Sequence, residues 1–118
     1  MALEALLTRY GYKKINSLTK GKLEDMNQAL KGLGEIIVDS LPNEIIAVEL
    51  VDGELSVNAH SEKIVKVMTF LRDDINCQFK VLLDVCGVDY PDRDERFDII
   101  YNLLSMTHNQ RVRVKIRT

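Results

Sequence analysis

An Asp-Gly pair between two apolar runs constrains the fold of this chain more than any other sequence feature. Residues 44–51 (EIIAVELV) and 54–60 (ELSVNAH) flank Asp52 and Gly53. A two-residue type I′ turn needs positive φ at both central positions, which Asp-Gly adopts at little cost. The pair therefore predicts an antiparallel β-hairpin in the middle of the chain.

The chain before this hairpin has two segments with apolar residues at helical spacing. In residues 1–11, Leu3, Leu6, Leu7 and Tyr10 predict a short helix that stops at Gly11, followed by a basic connector over residues 12–20. The stripe of the second segment predicts a helix that ends before Pro42. It consists of Leu23, Met26, Leu30, Leu33, Ile37 and Leu41. We place an N-terminal helix and basic connector in residues 1–22 and one α+β domain in residues 23–118.

Two further observations concern helices. Gly32 and Gly34 lie inside the second helix and indicate a bend or a close packing contact. After the hairpin, Ser61 is placed to cap a helix that stops near Asp73 and Asp74. The predicted buried stripe of this helix is Ile64, Val67, Met68, Leu71 and Ile75.

The last third of the chain predicts three strands. Residues 79–85 are mostly apolar, which predicts a strand covered on both faces, with a bulge at Gly87. Residues 97–104 follow a polar turn, and a second turn precedes residues 111–117 (RVRVKIR). In that last strand the apolar residues face inward and four cations face outward, so we expect an edge strand protected by charge.

The order is helix, helix, strand, strand, helix, three strands. It predicts an α+β fold, a mainly antiparallel sheet with helices packed on one face. The net charge of −2 and pI near 5.7 argue against a nucleic-acid partner, which would favour a strongly basic surface. No apolar run approaches the roughly 20 residues of a membrane-spanning helix.

Residues that carry chemistry are few. Cys77 and Cys86 cannot complete a four-cysteine metal or cluster site within the chain, and Cys86 is expected to be a buried, inert thiol. His60 and His108 lie at predicted turns. An enzyme with a divalent-cation site is one possible function. The site would be formed by the acids Asp84, Asp89, Asp92, Asp94, Glu95 and Asp98. Because Arg93 and Arg96 lie among them, ion pairs and solvated turn charges are favoured.

Asp84 and the cationic strand are the two charged features that call for partners. Asp84 lies in an apolar strand, so its charged form needs a hydrogen-bonded or cationic partner from this domain or another chain. The strand over residues 111–117 has no interleaved aromatic residues of the kind that RNA-binding sheets use. A free-standing binding module that uses this strand remains an alternative function.

Three consecutive segments carry a family resemblance. Residues 82–91 (LLDVCGVDYP), 96–105 (RFDIIYNLLS) and 108–115 (HNQRVRVK) closely resemble the C-subunit family of NADH:quinone oxidoreductase, respiratory complex I. The resemblance is specific over residues 81–117 and weaker over 44–80. It implies a non-catalytic structural subunit of the peripheral arm of a proton-translocating enzyme, with no catalytic, cofactor-binding or metal-binding residue in this chain.

The same resemblance implies where the rest of the chemistry lies. FMN, iron–sulfur clusters and the quinone pocket are expected in partner subunits, with the quinone-module subunits as the main partners and no nucleic acid. The location implied is the cytoplasmic side of a bacterial inner membrane, or the matrix side in mitochondria, reached only through the complex. Family members continue into a further segment, so a chain that extends past Thr118 is expected. The residues expected at an interface with other subunits are Asp84, Arg93, Arg96, Arg111, Arg113, Lys115 and Arg117.

Overall fold

The computed structural model of the chain describes residues 17–118, in two α-helices, five β-strands and one 3₁₀ turn. The elements in chain order are α1 (Ser17–Ser40), β1 (Ile45–Val51), β2 (Glu54–Ala59), a 3₁₀ turn (Ser61–Lys63), α2 (Ile64–Asp73), β3 (Val81–Asp89), β4 (Phe97–Ser105) and β5 (Gln110–Arg117). The helix predicted for residues 1–11 lies outside the described residues. Because α1 begins at Ser17, the end of the predicted basic connector is helical instead.

The strands form one sheet in the order β1-β2-β5-β4-β3. Three of its pairings are antiparallel, and β2 and β5 are parallel. Both helices bury apolar side chains in a single core with one face of the sheet, which confirms the predicted α+β class. The most deeply buried members of this core include Ile37, Leu55, Val57, Val67, Leu71 and Val114.

The predicted hairpin is confirmed in detail. Asp52 and Gly53 have φ angles of 51° and 77°, the positive values that a type I′ turn requires. Val51 pairs with Glu54 directly beside the turn. The prediction succeeds because turn geometry depends on two adjacent residues.

The prediction that the last strand lies at an edge is wrong. Strand β5 lies in the middle of the sheet, parallel to β2 on one side and antiparallel to β4 on the other. Its inward residues Val112, Val114 and Ile116 are buried, as the alternation predicted. Alternation reports that one face is buried and one solvated, and it carries no information on how many neighbours a strand has.

The prediction that the strand after α2 is covered on both faces is also wrong. Strand β3 is an edge strand, and Leu82, Leu83 and Val85 are 51%, 44% and 51% exposed. Cys86 is exposed rather than buried. The irregularity of this strand lies between Leu82 and Asp84, where the register against β4 shifts, and not at Gly87.

The start of α2 differs from the prediction, although its end does not. Ser61 opens the 3₁₀ turn, and its hydroxyl contacts the Glu62 carboxylate at 3.4 Å instead of capping a helix. The helix ends at Asp73, as expected. Ile75 lies beyond that end and is 78% exposed, because the helical rotation that would have turned it inward has stopped.

Gly34 brings α1 close to the hairpin, which confirms the predicted packing contact at this glycine. A Cβ atom at Gly34 would lie 2.9 Å from Cγ1 of Val48 and 3.3 Å from Cδ1 of Leu55. A Cβ atom at Gly32 would meet nothing within 4 Å. The two glycines are therefore in the same helix but in opposite packing environments.

Alanine at these two positions should shift stability in opposite directions. Gly34→Ala forces the helix away from β1, an overpacking cost of about 1–3 kcal/mol that exceeds the helix-propensity gain of about 1 kcal/mol. Gly32→Ala brings only the helix-propensity gain, because its Cβ atom would meet nothing within 4 Å. We expect the urea midpoint to fall for Gly34→Ala and to rise for the matched control Gly32→Ala. A midpoint that rises in both variants would contradict the close contact.

Candidate functional site

The face of the sheet opposite the helices, here called the open face, collects five of the seven charged residues that the sequence predicted for an interface. No helix of residues 17–118 packs on it, since α1 and α2 share the other face. The cross-strand register defines its members. They are Glu54, Ser56 and Asn58 on β2, Arg111, Arg113, Lys115 and Arg117 on β5, Asp98, Ile100, Asn102 and Leu104 on β4, and Asp84, Cys86 and Val88 on β3.

A chain of polar contacts crosses the open face from β3 to β2. Asp84, Asn102 and Arg113 are cross-strand neighbours in register. The Asn102 amide donates to Oδ1 of Asp84, and Nε of Arg113 donates to Oδ1 of Asn102 at 3.3 Å. The Arg113 guanidinium then reaches the carboxylate of Glu54 at 3.5 Å. Asp84 thus finds its hydrogen-bonded partner within the domain, in an asparagine.

Asp98 is the buried carboxylate of this face. It is only 4% exposed and lies between two guanidinium groups, those of Arg93 at 2.5 Å and Arg117 at 3.5 Å. Arg93 also stacks over the ring of Tyr90, 3.9 Å from its centroid. These contacts hold the turn after β3 against the end of the open face. Arg93 therefore contributes to this face through its bond to Asp98.

The sequence pattern placed Asp98 among the turn acids and singled out Asp84 instead. The sequence did contain one signal for Asp98, namely its position in the two-residue alternation of the strand. Asp98 lies at the start of β4 on the same face as Asn102, and the polar turn before it carries Arg93 five residues earlier. What the sequence could not show is that Arg117, from the far end of the chain, pairs with Asp98 across the strands.

Arg96 lies at the end of the sheet. It makes two hydrogen bonds to the Asp89 carboxylate, at 2.8 and 2.9 Å, and these bonds raise its pKa. Both side chains are about half exposed, so the pair contributes little to stability. The Arg96 guanidinium also lies over the Phe97 ring, 5.4 Å from the centroid, so Arg96 links Asp89 at the end of β3 to Phe97 at the start of β4.

Two cations of the open face have no ion-pair partner among the described residues. Arg111 and Lys115 form no ion pair with any residue in the described part of the chain. They lie beside Leu104 and Ile100 of β4 in register. The structure therefore brings five of the seven predicted interface residues onto one face, and two of these five are cations beside apolar side chains.

Three of the six acids of the predicted cluster are bonded to protein groups. Asp84, Asp89 and Asp98 bond to Asn102, Arg96 and Arg93, respectively. Within residues 17–118, no three His, Cys, Asp or Glu side chains are grouped so that they could hold a metal ion. Cys77 is fully buried, and its desolvation raises the pKa of the thiol to about 12. His108 contacts the carbonyl oxygen of Ile75 at 2.8 Å.

A second buried carboxylate, Glu44, stabilises the helical side of the domain. It is 5% exposed and accepts a 2.8 Å hydrogen bond from Nζ of Lys66 on α2. This bond is the main cause that lowers the pKa of Glu44 below its ordinary value of 4.5. The pair joins the start of β1 to α2.

The Glu44–Lys66 pair should make stability depend on pH. Because the folded-state pKa of Glu44 is lowered, its contribution is present above the unfolded-state pKa and is lost as pH falls through the lowered value. We expect Lys66→Met to flatten the fall of unfolding free energy between about pH 6 and pH 3. Urea titrations at several pH values measure this, with Lys31→Met on α1 as the control. An unchanged slope in Lys66→Met would contradict the pairing.

This geometry defines the class of protein: an α+β domain with helices on one face of a mixed sheet and a charged opposite face that no helix of residues 17–118 covers. The fold recurs in a chain of the membrane-bound sulfane sulfur reductase, described as an archaeal respiratory membrane complex, with a TM-score of 0.62 and 17% identity. That match covers 74% of this chain and 48% of the other. At 17% identity this match shows a shared fold and nothing about function.

The sequence comparisons are more specific. Residues 57–118 match the family model of the respiratory-chain NADH dehydrogenase 30 kDa subunit. The C subunit of the NADH-quinone oxidoreductase of Paramagnetospirillum magneticum is 57% identical over 94 residues, which are 79% of this chain and 47% of the relative. That of Rhodospirillum rubrum is 53% identical over 93 residues, 79% and 44% of the two chains.

The chain belongs to the 30 kDa subunit family of respiratory-chain NADH dehydrogenase, since the family model covers more than half of it. It spans about half the length of the curated relatives that it matches. Among residues 17–118, no helix is both long and apolar enough to cross a membrane.

Proposed function

We propose that the chain works as the C subunit of NADH:quinone oxidoreductase, a non-catalytic structural subunit of the peripheral arm that supports electron transfer from NADH to quinone. The observation that carries this proposal is its family membership, together with 57% identity to a protein named as the C subunit of an NADH-quinone oxidoreductase. The electron carriers, FMN and iron–sulfur clusters, belong in this proposal to partner subunits. Its own residues position those subunits.

The open face is the surface that we assign to these contacts. Its central polar chain, from Asp84 through Asn102 to Arg113, is already hydrogen-bonded and offers a pre-ordered surface. Arg111 and Lys115 lie next to it without ion-pair partners in the described chain, beside Leu104 and Ile100. Cations at the margin of an apolar surface suit an acidic region of a quinone-module subunit, because complementary charge sets orientation at an interface.

The location that follows is peripheral. The protein is held at the cytoplasmic side of a bacterial inner membrane, or at the matrix side of the mitochondrial one, through the other subunits of the complex. A domain boundary near residue 22 remains part of the proposal, with the α+β domain over residues 23–118 making the contacts.

Purification of the full-length native protein through an affinity tag tests this function. Membranes solubilised in mild detergent should yield the other NADH dehydrogenase subunits in a constant ratio, with NADH:quinone activity. Recovery of the protein alone from the soluble fraction would contradict it. Co-purifying nucleic acid would instead support the alternative, a free-standing binding module that uses the cationic strand over residues 111–117.

A further inference from the structure

Strand β3 combines an edge position with the composition of an interior strand. It is nine residues long, VLLDVCGVD, and Asp84 is the single charge before its last residue. Leu82 and Val85 are each 51% exposed and Leu83 is 44% exposed, so apolar side chains are uncovered along the strand. Natural edge strands are usually short, charged or covered, because a free edge recruits other chains. β3 has little of that protection.

An apolar groove continues this surface onto the helical side of the sheet. It runs between α2 and β3, has a volume of about 390 Å³, and is open to solvent. Phe79, Tyr101 and Leu103 line it, together with Val65 on α2, which is 77% exposed. The exposed surface of β3 is therefore continuous from the groove across the strand edge.

We propose that β3 is a docking edge to which an extended segment of another subunit of the enzyme complex adds as a further strand. This inference rests on the proposed function, which supplies the other subunit. A strand fits better than a helix for two reasons. It alone can pair the outward backbone N–H and C=O groups of β3, and its side chains alternate to cover both faces at once.

The charges around β3 specify the chemistry of that segment. Lys80, directly before the strand, is exposed, while Asp92, Asp94 and Glu95 in the turn after it are exposed acids. None of the four has an ion pair within the described residues. The partner segment should thus be apolar over its central residues, with a carboxylate at the end near Lys80 and cations at the other end.

A second copy of this chain fits the edge less well. In antiparallel self-pairing centred on β3, the two Asp84 carboxylates become directly opposite or diagonal neighbours. Like charges at such positions destabilise a strand pair. A different chain with a cation or a neutral polar group near Asp84 avoids this repulsion.

The two cysteines provide a built-in footprinting experiment. Cys86 is exposed on the open-face side of β3, whereas Cys77 is fully buried and serves as the unreactive control. Val85→Cys in a Cys86→Ser background reports the opposite face, since Val85 and Cys86 are adjacent in the strand. N-ethylmaleimide labelling rates are compared between the isolated chain and the complex purified from native membranes.

We expect both reporters to label at least tenfold more slowly in the complex, while Cys77 stays unlabelled in both samples. Equal rates in a complex that contains the protein would overturn the docking edge but leave the proposed function intact. Protection of Cys86 alone would overturn strand addition in favour of contact on the open face only. A dimeric isolated chain with both reporters already protected would assign the edge to a second copy and also overturn it. Absence of the protein from the complex overturns the proposed function.

Discussion

Asp98→Ala is expected to lower the free energy of unfolding of the domain by about 3 kcal/mol, because breaking a buried ion pair leaves its partner uncompensated. Asp98 is 4% exposed between Arg93 and Arg117, and the Arg93 side chain is itself only 29% exposed. The Nε of Arg93 is also buried and has no hydrogen-bond partner in the described chain, so the loss of Asp98 would leave more of this guanidinium unsatisfied. Urea denaturation at pH 7 measures the loss.

Two control variants separate this effect from a general loss of charge. Asp92→Ala removes an exposed turn carboxylate and should cost less than about 0.5 kcal/mol. Asp84→Ala should cost far less than Asp98→Ala, because β3 is an exposed edge and Asp84 bonds to a neutral amide. Unfolding midpoints for Asp98→Ala that match those of Asp92→Ala would refute the buried-pair interpretation.

From the proposed function, the double change Arg111→Glu and Lys115→Glu, made in the full-length native protein, is expected to reduce incorporation into the NADH dehydrogenase complex at least tenfold. Reversed charges would meet like charges across the proposed interface, at a cost of several kcal/mol. Arg113 is left in place because its bond to Asn102 belongs to the domain itself. Native gel electrophoresis of solubilised membranes, followed by immunodetection, measures incorporation.

A matched variant tests the specificity of this effect. Lys31→Glu with Lys63→Glu reverses two exposed cations on the α1–α2 side and should leave incorporation unchanged. Both double variants should keep the isolated domain folded. Lys31, Lys63 and Arg111 are exposed, and exposed substitutions usually shift stability by less than about 0.5 kcal/mol each, while Lys115 is half-buried but has no ion pair in the described chain to lose. Normal incorporation and NADH:quinone activity in the Arg111 and Lys115 variant would show that these cations are only solvated.

Local features of the sequence were sufficient for several elements. The Asp52–Gly53 turn, the end of α1 before Pro42, and the inward alternation of Val112 and Val114 were all predicted. Each depends on residues within a few positions of one another, where turn conformation, backbone sterics and the two-residue period of a strand act. The family resemblance likewise came from three nearly contiguous segments, and it agrees with the family match over residues 57–118.

Strand order is what only the tertiary structure decided. The same RVRVKIR pattern fits an edge strand or a central one, because a solvated outer face looks identical in both, and the parallel pairing of β2 with β5 joins residues more than fifty positions apart. With β5 in the centre, β3 falls to the edge and its apolar side chains become exposed. The same arrangement buries Asp98 between Arg93 and Arg117 and leaves Asp84 exposed, because burial of a charge depends on which distant strands and turns meet around it.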